Sequence, residues 1–438
     1  MKKIFLLFLS LLFLNSLAFA GEIDEYIAKS GIEQKSTVAI YALDSRNKAL
    51  FKKNHHKLLI PASTLKLLTF GASYLTLKEN YKFETAVYRD CDNNFYIKLG
   101  ADPLLTSGDL LKLFNQIADT KPNNVYIDDT IIDKTPYPEG WMEEDVWPYA
   151  RAITPYIIDE NMFEVLIKRS AFETKVEILQ DTPYQPSIIN ELVLGDKQDY
   201  KIQKLYGEDS SIIGLEGTIN KDELVKIPVI NPQINFQIHV INAMKKAGIK
   251  NPKKIQFKKT PGCAKKIAVV YHTIEEISKN ILHNSDNFSA EVVFKVAAAK
   301  YIKYSHPATL QDAISMLENT FPFEEGIKIT DGSGVSRNNF LSANYLVRCI
   351  QKLFSDQKFK SLLATSNEGT LSDRLIFLEG NLRAKTGTMA NMSSIAGGLT
   401  TKKGRDVAFA IIIQNSPKRK AILKNFENNI IGLLYRKY

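Results

Sequence analysis

Pro61-Ala62-Ser63-Thr64-Leu65-Lys66-Leu67-Leu68-Thr69 is the stretch on which the reading of this chain turns. Proline suits the first turn of a helix and serine suits an N-cap, and the sequence runs apolar from Thr64 to Leu75, so a helix is expected to open here with Ser63 at its mouth. Spacing i, i+3 on a helix puts the Ser63 hydroxyl and the Lys66 amine on one face, roughly 5–6 Å apart at Cβ. The partial positive charge of a helix N-terminus favours an alkoxide and a developing oxyanion. Serine becomes a useful nucleophile only when a base takes its proton. Lysine serves as that base only when its ammonium is disfavoured, as by a second cation nearby. Two other Ser-x-x-Lys matches, Ser45/Lys48 and Ser355/Lys358, fall in a turn and a polar helix end; only Ser63 follows Pro-Ala and opens an apolar helix.

Two later motifs supply complementary chemistry. Ser285-Asp286-Asn287 interrupts a helical pattern with polar residues. Its hydroxyl suits a proton relay between base and leaving amine, and the Asn287 amide suits a substrate carbonyl and the lysine. Lys385-Thr386-Gly387 lies in a strand-like run after Leu382-Arg383-Ala384. On an edge strand it offers backbone groups to an extended peptide. Gly387 permits close approach, Thr386 offers a hydroxyl to a terminal carboxylate, and Lys385 is the second cation. The N–H groups of Ser63 and Thr388 then form an oxyanion hole. Each motif alone reads more readily as an N-cap, a turn or an exposed strand end than as a site; Ser-x-Asn recurs at Ser45, Ser278, Ser336 and Ser342, and Lys29-Ser30-Gly31 imitates the third motif.

Around these motifs the organisation is legible. Thr37–Leu43 and Ala49–Lys53 flank a polar turn, as do Ser394–Thr400 and Val407–Gln414, so a strand pair is expected near each chain end. Helical periodicity marks the sequence after Tyr271, and a helix is expected from Pro417. From about Phe83 to Ala264 the texture is short β-rich runs (Phe95–Leu99, Asn124–Ile127, Phe163–Arg169, Thr174–Leu179, Leu224–Ile230). One α/β domain built from both chain ends and interrupted in the middle is the reading.

The first residues are Met-Lys-Lys, an apolar run over Ile4–Leu14, and Ala18-Phe19-Ala20 before Gly21. That is the pattern of a cleaved secretory leader, shorter than the roughly 20 residues that span a bilayer. Removing residues 1–20 leaves 418 residues and takes the net charge from +9 to +7. Such a length calls for two or three domains. The lysines are scattered, which speaks against nucleic acid and for an anionic wall polymer or membrane surface. The C-terminal segment Ala421–Tyr438 carries Ile422, Leu423, Phe426, Ile430, Leu433 and Leu434 at helical spacing; it is expected to close a core, with peripheral membrane contact the alternative. Three cysteines, Cys91, Cys263 and Cys349, cannot all pair and are read as free buried thiols, Cys91–Cys263 being the one pairing entertained. No metal-ligand spacing appears, so no metal or organic cofactor is expected.

Nucleophile, Ser-x-Asn and Lys-Thr-Gly occur in that order, each in the expected local structure, and the combination resembles the penicillin-binding protein and serine β-lactamase superfamily. Ser63 to Ser285 is 222 residues and Ser285 to Lys385 is 100. Class A β-lactamases have a much shorter first interval and a Glu-x-x-x-Asn deacylation loop, which no fitting position carries. The long interval resembles the class C low-molecular-mass penicillin-binding proteins, D-alanyl-D-alanine carboxypeptidases and endopeptidases. Phe95-Tyr96-Ile97-Lys98-Leu99-Gly100 and Asp331-Gly332-Ser333-Gly334-Val335-Ser336-Arg337-Asn338 are similar to further segments of that family.

The resemblance implies an α/β (α+β) transpeptidase domain, with antiparallel sheet and helices, over residues 21–80 and 265–438. Residues 81–264 are the inserted β-rich subdomains. It also implies an acyl-enzyme on Ser63, with neutral Lys66 as base held in that state by Lys385, Ser285 as proton relay, and inhibition by β-lactams. The substrate implied is a peptidoglycan stem peptide in the periplasm. Family members read the amino-acid end of diaminopimelate with an Asp of the inserted domain and the Arg of the Asp-Gly-Ser-Gly segment. Asp145, four residues after Gly140-Trp141, and Arg337 fit those positions, and Met389 fits an apolar wall. A carboxylate and a guanidinium suit a zwitterion. The competing classes are a serine β-lactamase and a non-catalytic wall-binding or sensor module.

Overall fold

A computed structural model describes residues 21–141, 151–179, 186–205, 212–250 and 255–438. The leader and Asp145 therefore lie outside the described residues. In chain order the strands are β1 (Thr37–Asp44), β2 (Ala49–Lys53), β3 (Lys82–Arg89), β4 (Phe95–Lys98), β5 (Val125–Asp128), β6 (Met162–Arg169), β7 (Thr174–Ile178) and β8 (Ser187–Leu194). They continue with β9 (Asp199–Leu205), β10 (Ile212–Ile219), β11 (Glu223–Pro228), β12 (Ile255–Phe257), β13 (Lys265–Thr273), β14 (Leu382–Met389), β15 (Met392–Thr400) and β16 (Asp406–Gln414). The helices used below are α1 (Lys66–Leu77), α2 (Ser107–Asn115), α3 (Pro232–Lys246), α4 (Ile274–Leu282), α5 (Asn287–Tyr301), α6 (Leu310–Thr320), α7 (Ala343–Leu353) and α8 (Lys420–Lys437).

The chain divides into two compact units. The first gathers the residues up to Ala72, Ser278–Ser285 and Leu317–Tyr438. Its frame is a fully antiparallel five-stranded sheet, ordered β14-β15-β16-β1-β2. The hairpins expected at the two chain ends thus become neighbours, joined where β1 pairs with β16 from Thr37↔Gln414 to Asp44↔Val407. β16 is buried on both faces, which is why its sequence Val407-Ala408-Phe409-Ala410-Ile411-Ile412-Ile413 has no polar alternation. Phe409, Ile411 and Ile413 share a core with Leu423, Phe426, Ile430, Ile431 and Leu434 of α8. The small residues of the other face let α7 pack onto β1, β15 and β16. Most of the apolar stripe of α8 is therefore spent inside the protein, Ile422 staying exposed, and it is not available as a membrane-binding face. No helix among the described residues is long and apolar enough to cross a membrane.

The second unit comprises Ser73–Ile277 and Asp286–Met316. It holds a mixed five-stranded sheet, β12-β5-β4-β3-β13, and two three-stranded sheets, β11-β6-β7 and β8-β10-β9. α2 and α3 cover the larger sheet through Leu110, Leu113, Phe114, Phe236, Val240 and Met244. Val165, Ile167, Ile213 and Leu215 form the core of the smaller sheets. The middle of the chain is β-rich as its texture suggests, with α2 and α3 added. α2 opens on a full capping box between Thr106 and Asp109. The cysteines are all free, but only Cys349 is buried; Cys91 and Cys263 are exposed, because both lie in turns outside the strands.

Candidate active site

Ser63 does not cap a helix. Ala62–Leu65 form a 3-10 turn and α1 begins at Lys66, so the nucleophile candidate sits inside a tight turn that leads into the helix. Ala62 has φ +49°, a left-handed conformation that costs an alanine on the order of 1–2 kcal/mol. The cost is offset by tertiary contacts. Pro61 O accepts hydrogen bonds from Thr64 Oγ1 (2.7 Å) and Ser394 Oγ (2.8 Å). Lys66 Nζ lies 3.0 Å from Ser63 Oγ, so the i, i+3 geometry survives the change of helix type.

The Asp331-Gly332-Ser333-Gly334 segment builds the floor beneath this turn. The Asp331 carboxylate is fully buried and accepts from Gly334 N (2.8 Å), Ser336 N (2.6 Å) and Asn339 Nδ2 (2.8 Å), which ties the segment into a fixed loop. The loop presents two carbonyls to α1. Ser333 O accepts from Lys66 Nζ at 2.7 Å, and Gly332 O from Thr69 Oγ1 at 2.5 Å. Gly334, at φ +82°, is pressed so close that an added Cβ would lie 2.0 Å from Ala62 O and 3.2 Å from Ser63 N. Backbone meets backbone there, so neither side can give way. With Ser63 as the acylated residue, Gly334→Ala is expected to displace it and slow acylation by penicillin about a hundredfold in a single-turnover experiment, with the melting temperature falling less steeply than that rate.

Lys385 reaches the same site from β14, the edge strand of the sheet. Its buried ammonium nitrogen donates to Ser285 Oγ (2.8 Å) and to Thr386 O (2.9 Å). Burial, reinforced by the charge of Lys66, pushes its pKa well down. Gly387 faces the nucleophile turn: a Cβ there would stand 2.4 Å from Ser394 Oγ and 3.0 Å from both Pro61 O and Ser63 N. Thr386 is buried and Thr388 exposed along the same edge.

Ser285 sits between α4 and α5 as expected, with φ +63°. Both serines are thus aimed by left-handed backbone, at Ala62 and at Ser285 itself, which no periodicity argument detects. Asn287, the first residue of α5, belongs to the second unit. Asp286 caps α5 through Ser289 N (2.8 Å), and its other oxygen is bound by the buried Arg151. Arg151 also donates to Glu160 O at 3.1 Å and lies over the Phe288 ring. Sequence reasoning passed over Arg151, since nothing near it in the chain marks it. Arg151→Ala is expected to free Asp286 and slow acylation roughly tenfold while retaining the fold, read by stopped-flow β-lactam kinetics.

Arg337 and Met389 come together. With Ile60, Asn391 and Gln414 they line a small cavity of about 100 Å³ in the first unit. Asp145, their expected counterpart, is outside the described residues. No cluster of His, Cys, Asp and Glu that would hold a metal occurs among the described residues.

Fold and site together have the make-up expected of a serine acyltransferase, a Ser-x-x-Lys pair with a second buried lysine. The model of the D-Ala-D-Ala carboxypeptidase 3 (S13) family matches residues 19–437. The chain belongs to this family: it is a D-Ala-D-Ala carboxypeptidase, a class C low-molecular-mass penicillin-binding protein. It is 24% identical to the D-alanyl-D-alanine carboxypeptidase DacB of Haemophilus influenzae, over 97% of both chains. The crystal structure of penicillin-binding protein 4 (dacB) from Haemophilus influenzae superposes with a TM-score of 0.83 at 20% identity, covering 94% of this chain and 99% of that one. A predatory peptidoglycan endopeptidase from Bdellovibrio bacteriovorus gives 0.52 at 13% identity, covering 92% and 93%.

Proposed function

We propose that this enzyme hydrolyses D-alanyl-D-alanine-type bonds of periplasmic peptidoglycan, on diaminopimelate-containing stem peptides and on their cross-links, through an ester on Ser63. The catalytic domain in this reading is assembled from residues 21–80 and 265–438 around the insertion at 81–264. The observation that carries the reading is the pairing of two lysines with two serines in one unit: Lys66 with Ser63 at 3.0 Å and Lys385 with Ser285 at 2.8 Å. Two buried amines cannot both hold their protons cheaply, so one is available as a base at working pH. In the reaction the Lys66 amine takes the Ser63 proton and Ser63 attacks the carbonyl of the penultimate D-Ala. The negative oxygen is met by the N–H groups of Ser63 and Thr388. A proton passes from Lys385 Nζ through Ser285 to the leaving amine, with Asn287 on the substrate amide. Water then adds to the ester carbonyl, its proton returning through Ser285 to Lys385 while Lys66 gives its proton back to the departing Ser63 oxygen. Thr386 and Gly387 hold the peptide along β14, while Arg337 and Asp145 bind the zwitterionic end of diaminopimelate beside Met389.

The geometry sets the pH dependence. When both amines are protonated there is no base, so kcat/KM should rise with pH as the lysine pair loses its first proton. Lys385→Ala removes the repulsion that eases this loss. The acid limb of the surviving activity is then expected to move to higher pH, as read in a pH–rate profile with a soluble D-Ala-D-Ala peptide. An unmoved limb would detach Lys385 from the ionisation.

Digestion of purified muropeptide monomers and cross-linked dimers tests the substrate: loss of terminal D-Ala from monomers and conversion of dimers to monomers are expected. Fast sustained turnover of nitrocefin without action on either muropeptide would make the protein a β-lactamase instead.

A further inference from the structure

A cavity of about 610 Å³ opens in the second unit, beside β3, β4 and the C-terminal end of α5, and none of the nucleophile-site residues lines it. Its charge is unbalanced. Lys78, Lys98 and Lys259 line it with exposed side chains and enter no ion pair among the described residues. The two carboxylates on its walls are already engaged. Glu84 pairs with Lys266, and Asp128 accepts from Thr130 N (3.2 Å), Thr130 Oγ1 (2.7 Å) and Thr260 N (2.8 Å). The opening therefore offers ammonium groups in want of an anion.

Its other walls are aromatic and set in place without a ligand. Tyr81, Tyr88 and Tyr304 contribute ring surface. Tyr304 is delivered by two consecutive left-handed residues, Lys303 and Tyr304 at φ +56°, and locked by its N–H to Ala299 O at 2.8 Å. Lys300 Nζ donates to Leu77 O (2.9 Å) and stands 5.7 Å from the Tyr81 ring centre, fixing the floor. Gly100 admits the close approach of β3, since a Cβ there would lie 2.3 Å from Glu84 O. The Phe95–Gly100 segment singled out in the sequence thus ends as one wall of this cavity, with Lys98 at its mouth.

Ring faces suit the C–H faces of sugars, unpaired ammoniums suit carboxylates, and the volume is that of a ligand site, which are commonly about 300–1,000 Å³. We infer that the cavity binds an acidic amino-sugar strand, the wall glycan at stretches where stem peptides have been removed and the lactyl carboxylates are free, and so holds the enzyme on the polymer whose peptides it cuts. The inference rests on the reading of peptidoglycan as substrate.

The test uses the full-length protein and three probes: peptide-free glycan strands bearing lactyl carboxylates, a neutral N-acetylglucosamine oligomer, and a polyglycerol phosphate. The wild type should bind the acidic glycan most tightly, and less so as salt rises. Lys98→Gln/Lys259→Gln should weaken that binding about tenfold, and Tyr304→Ala should weaken both saccharides, while Tyr304→Phe keeps the ring and most of the affinity. Hydrolysis of a soluble D-Ala-D-Ala peptide should stay unchanged in all three variants. Equal glycan binding by wild type and the lysine variant overturns the inference, as does a preference for the polyphosphate. If the wild type fails on the soluble peptide while the lysine variant still loses glycan affinity, the cavity stands and the catalytic reading falls.

Discussion

Ser63→Ala is expected to lower kcat/KM for a D-Ala-D-Ala peptide by about 10⁴-fold or more and to abolish covalent capture of penicillin. The effect is large because, in the proposed reaction, the hydroxyl supplies the bond itself. What surrounds it in this chain is built to hold that one oxygen: the 3-10 turn of Ala62–Leu65, the two glycines Gly334 and Gly387 packed against its backbone, and Lys66 at 3.0 Å. Removing the oxygen leaves this frame intact, so the variant should fold and bind substrate with little change in affinity. Mass spectrometry after exposure to penicillin gives the answer directly. An adduct of the intact antibiotic on the Ser63 peptide is expected in the wild type and none in the variant; an adduct that survives the substitution would move the nucleophile elsewhere.

Arg374→Ala is expected to cost the first unit about 3–5 kcal/mol. Arg374 Nη2 pairs with Glu427 Oε2 at 2.8 Å, and both are buried beneath the sheet, where the guanidinium also holds Asn428 Oδ1. Burial raises the Glu427 pKa even against the pull of Arg374, so without its partner the carboxylate would be left uncompensated or would take up a proton. Denaturant unfolding of the first unit measures the loss. Arg374→Ala/Glu427→Leu should regain much of it, since an apolar pair removes the stranded charge along with the bridge. The double substitution falling as far as the single one would show that packing of the Arg374 stem, rather than charge, carries the stability. The sign with pH follows from the raised carboxyl: the folded state binds a proton that the unfolded state has given up. Stability attached to Glu427 therefore declines as pH rises from the ordinary carboxylate range through the raised folded value.

The strands at the two chain ends were legible because β1 and β16 carry unbroken apolar runs bounded by polar turns, and the helical period after Tyr271 marked α4 and α5. The three motifs proposed to carry the chemistry were legible for another reason: side-chain chemistry depends on residue type and order, which are properties of the chain alone. Ser63, Lys66, Ser285 and Lys385 needed no coordinates to be grouped. Their geometry did. A helix start with a serine cap is the locally favoured reading of Pro61-Ala62-Ser63, and it yields to a left-handed Ala62 because loop 331–334 and β14 press on that turn from more than 260 residues away in sequence. Arg151 was invisible for the same reason, its role being defined by Asp286, 135 residues on. Local propensity is worth tenths of a kcal/mol to about one per residue, and a buried hydrogen-bonded contact outweighs it. Order and identity of the candidate groups therefore belong to the sequence, while the aim of the two serines, the depressed ionisation of Lys385 and the basic cavity of the second unit arise only where distant segments pack.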